Sequence, residues 1–240
     1  KRLYIKGTLP KEGSKVLCIV GARKHSSYGE EVCRKLILGL KGYTICIVSG
    51  LALGIDGIAH RAALEVGLQT IAFPGSGLNE KILYPSRHAR LAEEIIYAGG
   101  GLISEFEMTQ PALPWTFPQR NRLMAGIADA VLIIEAELKS GTLITSSYAT
   151  EYNRDVGAVP GQITSKLSAG PHMLIRIGAT PITCSEDILE MLGFGRPEKY
   201  EKQNKLFVDL SEHEKIIVEL LQIEPMTHDA IITKTGLSAR

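Results

Sequence analysis

Four stretches of the sequence combine cationic, hydroxyl and glycine residues at spacings that suit anion binding. In the first stretch, Gly21, Arg23 and Ser26 follow a short apolar run. Gly21 permits a tight turn, Ser26 can cap the next helix, and Arg23 would stand beside the free N–H groups of that helix. This pattern predicts a site for a phosphate-like anion. The alternative is a solvated turn whose arginine faces water.

The second stretch, residues 49–56, is rich in small residues and leads into another predicted helix. Gly50 and Gly54 would let a phosphate approach the helix N-terminus, where the partial positive charge favours anions. Asp56 and His60 are four residues apart, so they share one helical face. They could perform acid/base chemistry, but a structural pair that holds the loop is the favoured interpretation.

Two further stretches complete the predicted site. They contain Phe117, Arg120, Asn121 and Arg122 in one, and Lys139, Ser140, Gly141 and Thr142 in the other. Arginine suits phosphates and an aromatic face suits bases, a combination typical of proteins that bind single-stranded nucleic acid. We expect the arginines on exposed loops and a nest of N–H groups at Ser140. For Trp115 or Phe117 taken singly, a core position is the better interpretation.

Several enzyme classes lack their motifs in this sequence. There is no G-x-G-x-x-G, and Ser49 stands where a dinucleotide enzyme would place its ribose-binding acid, which disfavours a nicotinamide cofactor. There is no G-x-x-x-x-G-K-[ST] of a P-loop ATPase. The four cysteines form no C-x-x-C pair: they are Cys18, Cys33, Cys46 and Cys184. We therefore expect no catalytic centre, no cofactor and no metal site.

Alternating strand and helix patterns predict the fold that must position these stretches. Short apolar runs rich in β-branched residues recur at six places, residues 16–20, 45–48, 70–73, 102–104, 131–134 and 156–159. Helical spacing separates most of them, as at Leu36, Leu38 and Leu40. The pattern predicts an α/β fold with a doubly wound, mostly parallel sheet. Such sheets bind ligands beyond the carboxyl ends of their strands, where the four stretches lie.

Composition and charge are compatible with this interpretation. Of the 240 residues, 45% are hydrophobic and 22% are charged, as in ordinary globular proteins. No apolar run approaches the roughly 18 residues of a membrane span, and we expect a cytoplasmic protein with no membrane association. The net charge of +1 conceals a basic start, because residues 1–24 carry seven basic residues against one acidic residue. A local anion-binding face is therefore compatible with a near-neutral total.

The sequence divides into three predicted parts. Residues 1–193 carry the α/β pattern, and residues 194–209, which are rich in glycine, proline, glutamate and lysine, predict a linker. In residues 210–240, Ser211 and Glu214 have the spacing of a helix capping box. This last part resembles the start of a winged helix or helix-turn-helix that is truncated at Arg240. A small helical dimerisation appendage is the alternative.

Seven motifs occur in order along the first part. They are G-A-R-x-x-S-x-Y-G from Gly21, S-G-x-A-x-G-I-D-x-x-A-H from Ser49, Y-P at Tyr84, I-S-E at Ile103, R-N-R at Arg120, E-A-x-x-x-S-G-T-L-I-T from Glu135 and V-P-G at Val159. Together they resemble the DNA-processing protein A (DprA/Smf) family of bacterial recombination mediators, over about residues 1–193. The sequence departs from the usual family pattern at residues 107–109, after I-S-E.

The resemblance implies an extended Rossmann-like fold and a function. Such a protein binds and protects incoming single-stranded DNA, forms a homodimer and helps to load the RecA recombinase during natural transformation and homologous recombination. The implied DNA pocket contains the residues of all four stretches, which are Arg23, Ser26, Gly50, Gly54, Phe117, Arg120, Asn121, Arg122, Lys139, Ser140, Gly141 and Thr142. The apolar segment 173–179 is a candidate dimer interface, and a fully buried helix is the alternative.

An enzyme of the same fold group is the alternative function. Phosphoribohydrolases that resemble the lysine-decarboxylase-like family use a P-G-G-x-G-T-x-x-E stretch at their site. The nearest match here is residues 140–142, with Tyr148 and Glu151 downstream and without the P-G-G. The sequence therefore favours a non-enzymatic binding protein.

Overall fold

The computed structural model describes residues 2–195, 211, 213–214, 217, 220–221 and 226–236. The chain divides into two compact units, Lys1–Arg196 and Pro197–Arg240. Almost all of the predicted linker, residues 194–209, lies outside the described residues. In the described part of the chain, no helix has both the length and the apolar character that a membrane span requires.

The first unit is built on one eight-stranded sheet in the order β1-β5-β4-β3-β2-β6-β7-β8. All neighbouring strands run parallel except β1, which is antiparallel to β5 at one edge. The strands are β1 Tyr4–Gly7, β2 Lys15–Val20, β3 Ile45–Ser49, β4 Gln69–Ala72, β5 Gly101–Ser104, β6 Ala130–Ile133, β7 Asp155–Ala158 and β8 Thr180–Pro181. The predicted α/β, doubly wound sheet is confirmed.

Six of these strands were predicted because their apolar runs are buried on both faces. In β3, every residue is buried, and in β2 only Lys15 is exposed. The sequence pattern missed β1 and β8. These edge strands are short and partly or fully exposed, so they carry no continuous apolar run.

Helices cover both faces of the sheet. They are α1 Ser27–Leu38, α2 Ile55–Val66, α3 Ala89–Tyr97, α4 Thr116–Ile127, α5 Thr142–Glu151, α6 Ala169–Arg176 and α7 Ser185–Met191. Alternate residues of β2 point to opposite faces: Leu17 belongs to the core that α1, α2 and α7 cover, and Cys18 to the core that α4, α5 and α6 cover. The prediction that Leu36 and Leu38 share the apolar face of α1 is partly wrong, because Leu36 is buried but Leu38 is 60% exposed.

The direction of strand order reverses at β2. The chain passes from β2 to β3 on one side, and β6 later returns to the other side of β2. The loops that follow β2 and β6 therefore leave the same edge of the sheet in opposite directions, which opens a crevice between them. The fold places its natural ligand site there.

The second unit is described only in part. Ser211 and Glu214 form the predicted capping box: the Glu214 carboxylate accepts from the Ser211 N–H at 2.7 Å, and Ser211 Oγ accepts from the Glu214 N–H at 3.4 Å. A further helix, α8 His228–Thr235, ends at Gly236, whose φ is +67°. The winged-helix interpretation of this unit stays a prediction.

Candidate functional site

A cavity of about 360 Å³ lies at the crevice beyond β2 and β6. The loop after β2, the loop after β6 and the start of α4 supply most of its lining. Eight of the twelve predicted site residues line it, namely Arg23, Phe117, Arg120, Asn121, Lys139, Ser140, Gly141 and Thr142. The structure thus brings together three stretches that are widely separated in the sequence.

The rim of the cavity is mainly cationic and aromatic, and it includes one exposed carboxylate, Glu137. Arg23 and Lys139 are exposed, and no carboxylate of the described residues lies within salt-bridge distance of either. The Arg23 guanidinium lies 4.8 Å from the centre of the half-buried Phe117 ring. Phe117 in turn lies 5.7 Å from Tyr84, which the sequence reasoning did not assign to the site. These groups offer positive charge and ring faces side by side.

A nest of hydroxyl and N–H groups closes the other side of the cavity, at the N-terminus of α5. Ser140 Oγ accepts from the Thr142 N–H at 3.2 Å, and Thr142 Oγ1 donates to the Gly21 carbonyl at 3.1 Å. Asn121 Nδ2 donates to the Gly141 carbonyl at 3.3 Å. The nest is therefore fixed to the loop after β2 and to α4. Ser140 Oγ also donates to Thr142 Oγ1 at 3.0 Å, so the two hydroxyls hold the turn itself. The positive end of the helix dipole at this turn suits an anion.

The expectation that Arg120 lies on an exposed loop is wrong. Residues 117–122 belong to α4. Pro118 is compatible with this helix because it lies in the first turn, where a missing N–H is tolerated. Arg120 is 4% exposed, and its Nη1 donates to the Gly50 carbonyl at 2.5 Å and to the Phe73 carbonyl. A Cβ on residue 50 would collide with this guanidinium. Arg120 and Gly50 hold the wall of the cavity in place.

Ser26 also has a structural position, outside the cavity lining. Its Oγ accepts from the Gly29 N–H at 3.1 Å as the N-cap of α1, and donates to Glu135 Oε1 at 2.5 Å. The Ser26 N–H donates to Glu135 Oε2 at 2.9 Å. Because Glu135 is buried in the loop after β6, this contact joins the two loops that border the crevice.

The two remaining predicted residues likewise lie outside the lining. Gly54 has a φ of +82°, and a Cβ there would collide with the Ala22 carbonyl, so glycine lets α2 start against the loop after β2. Arg122 forms an ion pair with Glu105, whose side chain is almost fully buried at the end of β5. Both residues position backbone around the cavity.

Asp56 and His60 do not form the pair that their spacing suggested. Asp56 lines the cavity and accepts from the Gly50 N–H at 3.1 Å. Burial raises the pKa of its carboxyl, and the nearby Arg120 charge opposes that rise. His60 Nδ1 lies 2.7 Å from Thr70 Oγ1, and burial lowers the pKa of its imidazole to about 3. The two side chains have different partners, so they do not work as an acid/base couple.

The position of Thr145 disfavours the enzyme alternative. If residues 141–142 take the place of G-T in P-G-G-x-G-T-x-x-E, the acidic position falls on Thr145. Thr145 lines the cavity, is 1% exposed, and its Oγ1 has no hydrogen-bond partner among the described groups. The carboxylate that the motif requires is replaced by a hydroxyl. Within the described residues, no three metal-ligating side chains cluster.

Comparison with known proteins identifies the family. Residues 1–193 match the sequence profile of DNA recombination-mediator protein A. The chain belongs to this family. Protein Smf of Escherichia coli (strain K12) is 47% identical over 193 residues, which are 80% of this chain and 51% of that protein. This chain thus spans about half the length of that relative.

Two solved structures of the family resemble the first unit. The X-ray structure of DNA processing protein A from Streptococcus pneumoniae has a TM-score of 0.73 and 41% identity, over 78% of this chain and 65% of that chain. DNA processing protein A from Helicobacter pylori, whose structure concerns its single-stranded DNA binding mode, has a TM-score of 0.71 and 29% identity, over 80% of this chain and 86% of that chain.

Replacing Arg120 with alanine should destabilise the fold. The substitution leaves the carbonyls of Gly50 and Phe73 without their buried donor and removes the stronger of the two cations that act on Asp56. We expect the free energy of unfolding to fall by about 3 kcal/mol or more in urea titrations. Arg23→Ala is the matched control, and because Arg23 is exposed, the change should stay within about 0.5 kcal/mol. Equal stability of the two variants would show that Arg120 is not a structural bridge.

His60 should make the protein less stable in mild acid. Unfolded His60 takes up a proton below its ordinary pKa of about 6.5, whereas folded His60 stays neutral until about pH 3. Its contribution to stability is therefore present above pH 6.5 and is lost as the pH falls toward 3. The expected slope is up to about 1.4 kcal/mol per pH unit.

Urea unfolding between pH 7.5 and 5 measures this slope. His60→Gln should flatten it. An unaltered slope in His60→Gln would assign the acid sensitivity to other groups.

Proposed function

We propose that this chain binds single-stranded DNA at the cavity, with backbone phosphates in the nest of residues 140–142. The observation that carries the proposal is the geometry of that nest. Thr142 Oγ1 donates to the Gly21 carbonyl and Asn121 Nδ2 donates to the Gly141 carbonyl, so the nest is fixed at the start of α5. The exposed cations of Arg23 and Lys139 line the same cavity. The N-terminus of a helix beside two exposed cations suits a phosphate on a flexible strand.

The aromatic part of the rim supports a single strand over a duplex. The Arg23 guanidinium lies over the Phe117 ring, and a base can stack on such a flat group only when it is not already stacked in a helix. The H. pylori relative, whose structure concerns single-stranded DNA binding, supports the same ligand class. We infer a non-enzymatic DNA-binding role for the cavity, without a cofactor.

Family membership supports a wider role. We propose that the protein acts in the cytoplasm during natural transformation and homologous recombination, where it protects incoming single-stranded DNA and assists loading of the RecA recombinase. We further propose a homodimer that presents two DNA sites. Ile177, which follows α6, is 72% exposed within the apolar segment 173–179, so this segment is not the fully buried helix of the alternative. It is a candidate dimer contact.

Lys139→Ala should weaken binding to a dT oligonucleotide and reduce its salt dependence. Loss of one phosphate contact should lower the slope of log affinity against log salt by about 0.7. Lys41→Ala is the matched control. Lys41 is also an exposed lysine, but it lies in the loop before β3, at the opposite edge of the sheet. Fluorescence anisotropy across a salt series gives both quantities.

The same titration tests the ligand class. We expect the unaltered protein to bind the dT strand much more tightly than a duplex of equal length. Equal affinity for the two would contradict the proposal, and so would equal salt slopes for the Lys139 and Lys41 variants.

The dimer should be visible in mass and in length dependence. Light scattering at micromolar concentration should report twice the chain mass of 26.1 kDa. Ile177→Glu should shift the measured mass toward that of the monomer. Oligonucleotides long enough to bridge two sites should bind far more tightly than short ones, because the second contact becomes intramolecular. Tyr97→Glu, on the highly exposed Tyr97 of α3, is the control. A monomer mass with affinity that rises only smoothly with length would refute the dimer.

A further inference from the structure

A second, shallow depression adjoins the cavity, and we call it the aromatic crevice. It is lined by Arg23, Gly50, Ala52, Leu53, Tyr84, Pro85 and Phe117. Arg23 and Phe117 belong to both the crevice and the main cavity, so the two form one continuous surface. The main cavity accounts for phosphate recognition but leaves this neighbouring surface without a role.

The chemistry of the aromatic crevice differs from that of the main cavity. Tyr84 is 46% exposed and its ring is tilted 60° to that of Phe117, while Leu53 is also exposed. Arg23 is the one charged side chain that lines the aromatic crevice, and no acidic side chain lines it. Flat ring faces, an aliphatic edge and a guanidinium suit an uncharged aromatic group that is attached to an anion. They suit a free cation or a polar peptide poorly.

Hydrogen bonds beneath the aromatic crevice hold its shape. The Tyr84 N–H donates to Ser76 Oγ at 3.3 Å, which fixes the backbone that carries the ring. On the other side, His88 Nδ1 donates to the Leu51 carbonyl at 2.8 Å, and this contact holds Leu51 at its positive φ of 60°. Little ordering is needed on binding, so a stacked ligand would lose little affinity to reorganisation.

We propose that the aromatic crevice stacks one nucleobase of the bound strand on Tyr84, next to the nucleotide whose phosphate occupies the nest. This inference rests on the proposed function and adds to it a base-binding residue outside the main cavity. It predicts that Tyr84 acts through its ring and not through its hydroxyl. It also predicts that the contribution of Tyr84 disappears when the ligand has no bases.

The experiment combines four proteins with two ligands in anisotropy titrations. The proteins are the unaltered chain, Tyr84→Ala, Tyr84→Phe and the control Tyr97→Ala. The ligands are a dT oligonucleotide and an equally long oligomer of abasic deoxyribose phosphates. On dT, Tyr84→Ala should lose about fivefold to hundredfold in affinity, and the other two variants less than twofold. On the abasic oligomer, all four proteins should bind equally.

Three results would overturn the proposal. Tyr84→Ala could bind dT as tightly as the unaltered chain, it could lose the same factor on the abasic oligomer, or Tyr84→Phe could be as weak as Tyr84→Ala. If Tyr84→Ala does not fold, Tyr84→Leu replaces it under the same criteria. Failure of the proposed function is distinguishable, because the unaltered chain would then bind neither ligand.

Discussion

A single buried guanidinium organises the site. Arg120, in α4, donates to the carbonyls of Gly50 and Phe73. These residues directly follow the adjacent strands β3 and β4. Burial lowers the pKa of Arg120 to about 10, and the neighbouring Asp56 acts in the opposite direction. A charge at this depth is tolerated because carbonyl oxygens and a carboxyl surround it. The same helix then sets where Phe117 stands at the rim.

Helix α4 also connects the two halves of the crevice. Through Asn121 it holds the Gly141 carbonyl, and thereby the nest at the start of α5. Glu135 makes the complementary connection, from the loop after β6 to the N-cap of α1 at Ser26. The crevice that the topology opens is thus joined at both ends by hydrogen bonds between side chains and loops. A site whose backbone is held before binding loses little entropy when an anion arrives.

The polar residues around the crevice have two kinds of role. Ser26, Arg120 and Arg122 use their hydrogen-bonding or ion-pairing groups on the protein itself. Arg23 and Lys139 are exposed and are available to a ligand. Arginine occurs in both groups, so membership of a motif does not distinguish a residue that contacts a ligand from one that builds the site.

The sequence by itself determined the six buried strands, the family and the four candidate stretches, three of which supply most of the cavity lining. Buried parallel strands need continuous apolar runs, and such runs are visible without coordinates. Only the tertiary structure decided that Arg120 is buried while Arg23 is exposed, that Asp56 and His60 have separate partners, and that Tyr84 joins the rim. These outcomes depend on which surfaces distant segments present to one another. Residue type and local spacing carry no information about that, because burial and partners are set by packing between segments far apart in the chain.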